Sequence, residues 1–549
     1  MSVEELTPGM KGIGKTVFSG DKPEEFQVEI LGVLEKVWPQ RDLILAKLSG
    51  GPLEKTGVIS GMSGSPIYVE GRLIGALAYS WAFSKEPIAL LTPIEDMLRI
   101  EEEEGGGGVI TQIGEYKGKK LEILPTPLVF SGLDSRVVKE AEPIFTSFGL
   151  LPLQGGSRGE KTSPPKLEPG SALGVQLVRG DVDISAVGTV THIEGKKIFA
   201  FGHPFLFSGE VDFPLTSAYV HSLLPSRYLS FKISSSTGKP LGRIRQDRRS
   251  GIFGEIGKVS KLLPLKVKIN SPASSASGQK GKALEYNFEI VRHKLLTPIF
   301  LRLLVLNSLL VSESQTEDST MKVKSEVYLK KHPPLVREDI FSGFTTPSLL
   351  ASSFASPLEE LAKNPFEKVE FEKIFLKIEV EKGLRTARIK RVRVDKEKVK
   401  PGEEVKVSIF LKPYGRETVI KERKILIPSS TPSGKVNLHI ADARADAQWE
   451  RKVYAPSKFT PKNLFQMLEL LKEEKKNSDI ILTVTIPQSG LVIEGKELLS
   501  PPSSLLSVLT NSKKEKGIVS ITKETILFKT VIPTEFVVSG EHLLTLNVE

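Results

Sequence analysis

Cysteine is absent from all 549 residues. That excludes disulfides, thiolate metal ligands and a cysteine nucleophile. It leaves the compartment open, because secreted chains and heat-adapted chains can both do without cysteine. Long apolar runs are also missing. The most apolar stretch, LLTPIFLRLLVLNSLLV at Leu295–Val311, is interrupted by Pro298 and Arg302 and is short for a membrane span. The opening MSVEELTPGMKGIG has no basic n-region and no apolar h-region, so no signal peptide is expected in it. HExxH, P-loop and Rossmann glycine fingerprints do not occur, and neither a metal nor an organic cofactor is expected.

What is present describes an ordinary globular chain, 39% hydrophobic and 26% charged. At this length one core is insufficient, and about three or four domains are expected. The 76 basic and 66 acidic residues give +10, but no basic stripe with interleaved aromatics stands out. Nucleic acid is therefore not an expected partner.

Short strands separated by turn residues dominate, so the expected class is mostly β with a few helices. FQVEILGVLEKV and RDLILAKLSG come first, and Ser171–Pro204 reads as strands divided by the turns RGD and EGK. In Arg388–Tyr414, Val405, Val407, Ile409 and Leu411 share one face of a period-two run after Pro401-Gly402, which predicts an antiparallel β-sandwich module. PKNLFQMLELLKEEKK, at Pro461–Lys476, predicts one amphipathic helix with proline at its start. EEEEGGGG at Glu101–Gly108 reads as a flexible joint after a helix-like end, since ordering four glycines is costly. Gln154–Ser171 and Ser271–Ala283 read as loose loops, and Pro333–Pro365 as a connector.

The stretch GVISGMSGSPIYVEGRLIGALAY (Gly57–Tyr79) places a serine between glycines ahead of a strand, a Glu-Gly turn and a second strand. Chymotrypsin-like peptidases use a Gly-x-Ser-Gly turn because glycines let the backbone fold tightly and expose the hydroxyl. The amides of the serine and of the residue two before it then converge on the developing oxyanion. Gly61-Met62-Ser63-Gly64 fits, with Ser63 as the nucleophile and Gly61 and Ser63 as the amide donors. Taken alone, however, the turn reads more readily as structural than as catalytic. Ser60 and Ser65 are its neighbours, and Ser65, stiffened by Pro66, reads as a turn cap.

A nucleophilic serine needs a base. His192, His293, His332, His439 and His542 read as surface or partly buried histidines, and His221 lies in the packed-looking element TSAYVHSLLPS. His203 differs. It ends the apolar strand KIFAFGHPF between Gly202 and Pro204, where a rigid scaffold presents a general base.

Together GMSGSPI, GRLIGA, FAFGHPF and GKPLGRIRQDRRSGIFGEIG (Gly238–Gly257) resemble the SpoIVB serine peptidase family, over roughly Pro8–Glu289. The resemblance implies a trypsin-like double β-barrel with Ser63 as nucleophile and His203 as general base. It also implies action outside the cytoplasm on a protein target. In the sporulation peptidases the histidine segment comes first, whereas here the serine does. Barrel halves that are each closed units tolerate that reversal. The family's aspartate shortly before the serine motif is replaced by Ser49. Asp42, Asp212 and Asp247 are candidate acids, with Asp212 preferred because it follows His203 in GEVDFP. A PDZ-like module is not recognisable, and residues 109–170 stay unassigned.

The expected organisation is a nucleophile-bearing barrel half at 1–100, a glycine-rich joint with a small insert at 101–170, and a histidine-bearing barrel half at 171–335. A connector at 336–368, a sandwich-like module at 369–460 and an α+β module at 461–549 follow. The function this implies is a serine endopeptidase acting through an acyl-enzyme, its C-terminal β modules binding partners, substrate or cell-envelope material. The competing expectation is a weak or inactive peptidase-like scaffold serving as an envelope binding or assembly protein. A triad enzyme whose imidazole is mis-oriented loses about 10⁴ in turnover.

Overall fold

A computed structural model describes the chain except residues 39–40, 82, 104–114, 117–118, 121, 157–164, 272–281, 313–317, 452–458, 489, 494–495, 499–503, 505–518 and 523. The four glycines of the joint, part of the Gln154–Ser171 loop and nearly all of the Ser271–Ala283 loop therefore lie outside the described residues. The chain forms two units, residues 1–265 with 287–303, and residues 266–286 with 304–549.

In the first unit, strands alternate inward apolar and outward polar residues until each run closes on itself. β1 (Lys11–Thr16), β2 (Glu24–Trp38) and β3 (Arg41–Ser49) are followed by the short helix α1 (Leu53–Thr56) and the two-residue strand β4 (Ile59–Ser60). β5 (Pro66–Val69), β6 (Arg72–Ser80) and β7 (Ile88–Pro93) complete the set. Antiparallel pairing runs β1-β2-β3-β7-β6-β5 and returns to β1, which makes a closed six-stranded barrel. Phe26, Val28 and Ile30, spaced by two along β2, fill its core with Ile44, Ala46, Leu48, Ile67 and Leu91.

α2 (Ile94–Leu98), the short strands β8 (Glu115–Tyr116), β9 (Lys119–Lys120) and β10 (Glu122–Ile123), then β11 (Thr126–Ser131), α3 (Ser135–Thr146) and β12 (Leu150–Gly155) lead to a second ring. Its strands are β13 (Ala172–Gly180), β14 (Asp183–Glu194), β15 (Lys197–Ala200), β16 (Gly209–Leu224), β17 (Ser230–Arg248) and β18 (Gly251–Ile256). Pairing runs β13-β14-β15-β18-β17-β16 and back to β13, again antiparallel throughout. The double β-barrel expected from the resemblance is present. The barrels are stitched together: β4 pairs in parallel with Ser230 and Phe231 of β17, and Gly20 bridges Val220.

The second unit is also mostly β. Val405, Val407, Ile409 and Leu411 are fully buried, as the period-two pattern predicts. Their four-stranded sheet shares one core with a five-stranded sheet that contributes Leu438, Ile440, Leu482 and Val484. The amphipathic helix runs Leu464–Glu473, capped by the Asn463 side chain rather than opened by Pro461. The stretch read as a connector folds instead into strand Leu335–Ser342 and helix Thr346–Lys363. Leu350, Ala351, Phe354, Leu358 and Leu361 give that helix a buried face, which its serines and prolines disguise in the sequence. Leu296–Ser312 is helical, and among the described residues no helix is long and apolar enough to cross a membrane.

Candidate functional site: a buried serine and histidine where the barrels meet

The Gly61–Gly64 turn requires its glycines. Gly61 and Gly64 have φ of +98° and +92°, a region side chains disfavour. A Cβ at Gly64 would also stand 2.1 Å from the Thr189 carbonyl oxygen and 2.4 Å from the Phe201 nitrogen. The turn therefore lies directly against the backbone of β14 and of the segment leading to His203.

Three of its carbonyls are clamped by β14. Thr189 donates its hydroxyl to Gly61 O at 2.9 Å and its N–H to Ser63 O at 2.9 Å, and the Thr191 hydroxyl donates to Gly64 O at 2.7 Å. Thr189 and Thr191 point the same way because strand side chains repeat every two residues. The amides of Met62, Gly64 and Ser65 donate to Ile59 O, Leu77 O and Met62 O. The Ser63 N–H has no acceptor among the described residues. Ser65 donates its hydroxyl to Met62 O at 2.6 Å, the turn-capping role read from Pro66. Ser63 is 0% exposed, and its Oγ has no hydrogen-bond partner among the described residues; the Ser60 hydroxyl is likewise buried and unpartnered among them.

His203 follows β15 through Phe201 and Gly202, both with φ near +70°. Such a conformation costs on the order of 1–3 kcal/mol at a residue like Phe201, and clusters at sites where geometry is imposed. The imposition is visible: Phe201 N donates to Thr189 O at 3.3 Å, and the Thr92 hydroxyl donates to Gly202 O at 2.5 Å. His203 Nδ1 is 2.8 Å from the Pro204 carbonyl oxygen. A carbonyl only accepts, so the proton sits on Nδ1 and Nε2 carries the free lone pair. Nε2 is buried without a partner among the described residues. Burial lowers the imidazole pKa to about 4, against a smaller opposing effect of the Pro204 carbonyl, so the ring is neutral at neutral pH.

Ser63 Oγ and His203 Nε2 are thus a donor without an acceptor and an acceptor without a donor, on two backbone segments in contact. They do not hydrogen-bond to each other in this state. A cavity of about 20 Å³, enough for one water, lies beside His203, lined by Ile123, Thr126, Phe148, Gly149 and Pro204–Phe207.

Among the described residues no carboxylate hydrogen-bonds His203. Asp212 accepts from Lys261 N at 2.9 Å and lies 3.9 Å from the Arg243 guanidinium, while the acceptor on His203 Nδ1 is the Pro204 main chain. Asp42 accepts from Lys36 N at 2.7 Å, in the β2–β3 hairpin. Asp247 is the buried one. It accepts from Phe205 N, Leu206 N and Ser208 N at 2.8, 2.8 and 3.0 Å, and so pins the loop that leaves His203. Burial raises its pKa to about 6 against the lowering effect of those three amides. His293 accepts from Leu295 N and Leu296 N on Nδ1, leaving Nε2–H to donate to Ser208 Oγ at 3.1 Å, a structural arrangement at the start of a helix. His221 bonds the Ser235 hydroxyl. No sequence motif singles out Thr189 and Thr191; their i, i+2 spacing in VGTVTHIE is the signal that they share a face. Among the described residues no group of three or more histidines and carboxylates could hold a metal ion.

Residues 3–89 match the family model described as SpoIVB peptidase S55, which covers the first barrel into β7 and includes the Gly61–Gly64 turn. The resemblance read from GMSGSPI and GRLIGA holds over that barrel. His203 lies beyond the matched residues. No curated protein and no solved structure matches the chain.

Proposed function

We propose that the chain is a serine endopeptidase of the SpoIVB type, with Ser63 as nucleophile and His203 as general base. The observation that carries this reading is the complementarity of Ser63 Oγ and His203 Nε2, both buried, both unpartnered, on touching segments between two barrels. His203 Nε2 takes the Ser63 proton as Oγ bonds to the substrate carbonyl carbon, and the carbonyl π pair moves onto oxygen. The amides of Gly61 and Ser63 hold that oxyanion. Collapse expels the amine, which takes the proton from His203. Water, deprotonated by His203, then attacks the acyl ester, and Ser63 leaves with its proton restored.

The Pro204 carbonyl holds the imidazole in the tautomer this needs, in place of a carboxylate. Asp247 acts one step further out, as a positioning residue for the loop after His203. The substrate is a polypeptide, and the second unit's sandwich is a surface for partners or envelope material outside the cytoplasm. Turnover requires that Ser63 be uncovered, since a fully buried hydroxyl meets no peptide.

A second reading, a non-catalytic scaffold, is favoured by that same burial and by the missing carboxylate. Covalent labelling with a fluorophosphonate, abolished by Ser63→Ala and by His203→Ala in folded protein, supports the peptidase. Failure of well-folded wild-type protein to label at any pH supports the scaffold.

A further inference from the structure

The second barrel buries a lysine against the serine turn. Lys232 on β17 is fully buried, and a Cβ at Gly61 would lie 3.0 Å from its Cδ. Its Nζ donates to Thr16 Oγ1 at 2.8 Å. Thr16 Oγ1 is 3.5 Å from Thr189 Oγ1, which donates to Gly61 O at 2.9 Å. No carboxylate forms an ion pair with the amine among the described residues. A buried cation held only by a hydroxyl is costly, and a lysine serving packing alone would be replaced more favourably by methionine or leucine.

We propose that Lys232 is a positioning residue for the Ser63 turn: its ammonium, through Thr16 and Thr189, holds the Gly61 carbonyl on β14 and so sets the amides that face the oxyanion. This rests on the peptidase reading for its catalytic meaning, but the positioning itself does not. An ammonium only donates, so it orders the chain in one direction: Lys232 to Thr16, Thr16 to Thr189, Thr189 to Gly61 O. The neutral amine has a lone pair, can accept from Thr16, and releases that order.

Burial lowers the Lys232 pKa to about 7, against a smaller raising effect of Glu24, which faces Thr16 across β1 and β2. Glu24 is the charged group acting on it; Thr16 on β1, Thr189 on β14 and the turn itself are uncharged where they face it. The ordered form therefore prevails below about pH 7 and is lost above it.

The test measures fluorophosphonate labelling of Ser63 from pH 4 to 9, with hydrogen–deuterium exchange of the peptide spanning Gly61–Gly64, in the full chain. Wild type should label with an alkaline limb near pH 7. In Lys232→Met the limb disappears, the rate below pH 7 falls about tenfold or more, and exchange of the turn accelerates to a similar degree. Thr189→Val, which removes the last hydroxyl while keeping Lys232, should do the same, and Thr189→Ser should restore both. A folded Lys232→Met with wild-type limb, rate and exchange overturns the proposal. If Lys232→Met fails to fold, unchanged limb, rate and exchange in Thr189→Val overturn it equally. If wild type does not label at any pH, the peptidase reading fails, and exchange alone decides: faster turn exchange in both variants upholds the positioning role, unchanged exchange ends it.

Discussion

Thr189 grips the Ser63 turn at two points, its N–H on the Ser63 carbonyl and its hydroxyl on the Gly61 carbonyl, each at 2.9 Å. The serine belongs to the first barrel, but the strand that shapes its turn belongs to the second. With the carbonyls turned toward β14, the Ser63 N–H is left without an acceptor among the described residues, which the proposed oxyanion role requires before substrate arrives.

Ser63→Ala should abolish labelling without destabilising the fold. The hydroxyl it removes is buried and makes no hydrogen bond among the described residues, so its loss should cost less than about 0.5 kcal/mol or stabilise slightly. Urea denaturation alongside labelling checks both halves. A loss of more than about 2 kcal/mol would mean that the hydroxyl has a structural partner.

Gly64→Ala should be far worse than Gly71→Ala. Both glycines have positive φ, but a Cβ at Gly71 meets nothing within 4 Å, whereas at Gly64 it collides with the backbone of Thr189 and Phe201. We expect about 1 kcal/mol for Gly71→Ala and more than about 3 kcal/mol, with loss of labelling, for Gly64→Ala. Thermal or urea unfolding of the pair reads the difference.

The contribution of His203 and His293 to stability should decline as pH falls from 6.5 toward 4, while Asp247, whose pKa burial raises to about 6, works in the opposite direction below that pH. Burial lowers the pKa of His203 and His293 in the folded chain to about 4. Between pH 6.5 and 4 these histidines take up protons in the unfolded chain that they refuse in the folded chain. Each histidine's neutral form therefore contributes stability above pH 6.5 that is lost on acidification, roughly 2–3 kcal/mol apiece. His203→Gln should reduce the acid dependence of the unfolding free energy by about its share, measured as the difference between pH 7 and pH 4.5.

Asp247→Asn should damage the site from a distance. One amide oxygen and one NH₂ replace two oxygens that accept three N–H groups, so a donor is set against a donor. A loss of about 1–3 kcal/mol is expected, with slower labelling and faster exchange over Phe205–Ser208. Asp212→Asn, which touches Lys261 and Arg243, should leave the labelling rate near wild type.

That contrast explains what the sequence made visible and what it did not. The Ser63 turn and the Val405–Leu411 face were legible because glycine spacing and period-two alternation are local. His203 stands out because Gly202 and Pro204 flank it at a strand's end. Asp212 is favoured in sequence by its nearness to His203 along the chain. The position is decided instead by the β16–β17 hairpin, whose register sets Asp247 opposite Gly209 and folds it back under the histidine loop. Lys232 was invisible for the same reason: in SRYLSFKISSS it is one lysine among many, and only closure of the second barrel drives it into the interior. Helix Thr346–Lys363 was hidden by composition, its buried face interrupted by serines and by Pro357.

The clamp on the serine turn also gives the chain a schedule. Its anchors, Thr189 and Thr191, lie 128 and 127 residues downstream of the carbonyls they hold. Synthesis is vectorial, so the first barrel emerges well before β14 exists. Contacts of such sequence separation also form late in folding. A newborn chain therefore carries its serine on a turn that nothing yet shapes, beside no histidine. Whatever reactivity that serine has is withheld until the second barrel has been made and docked.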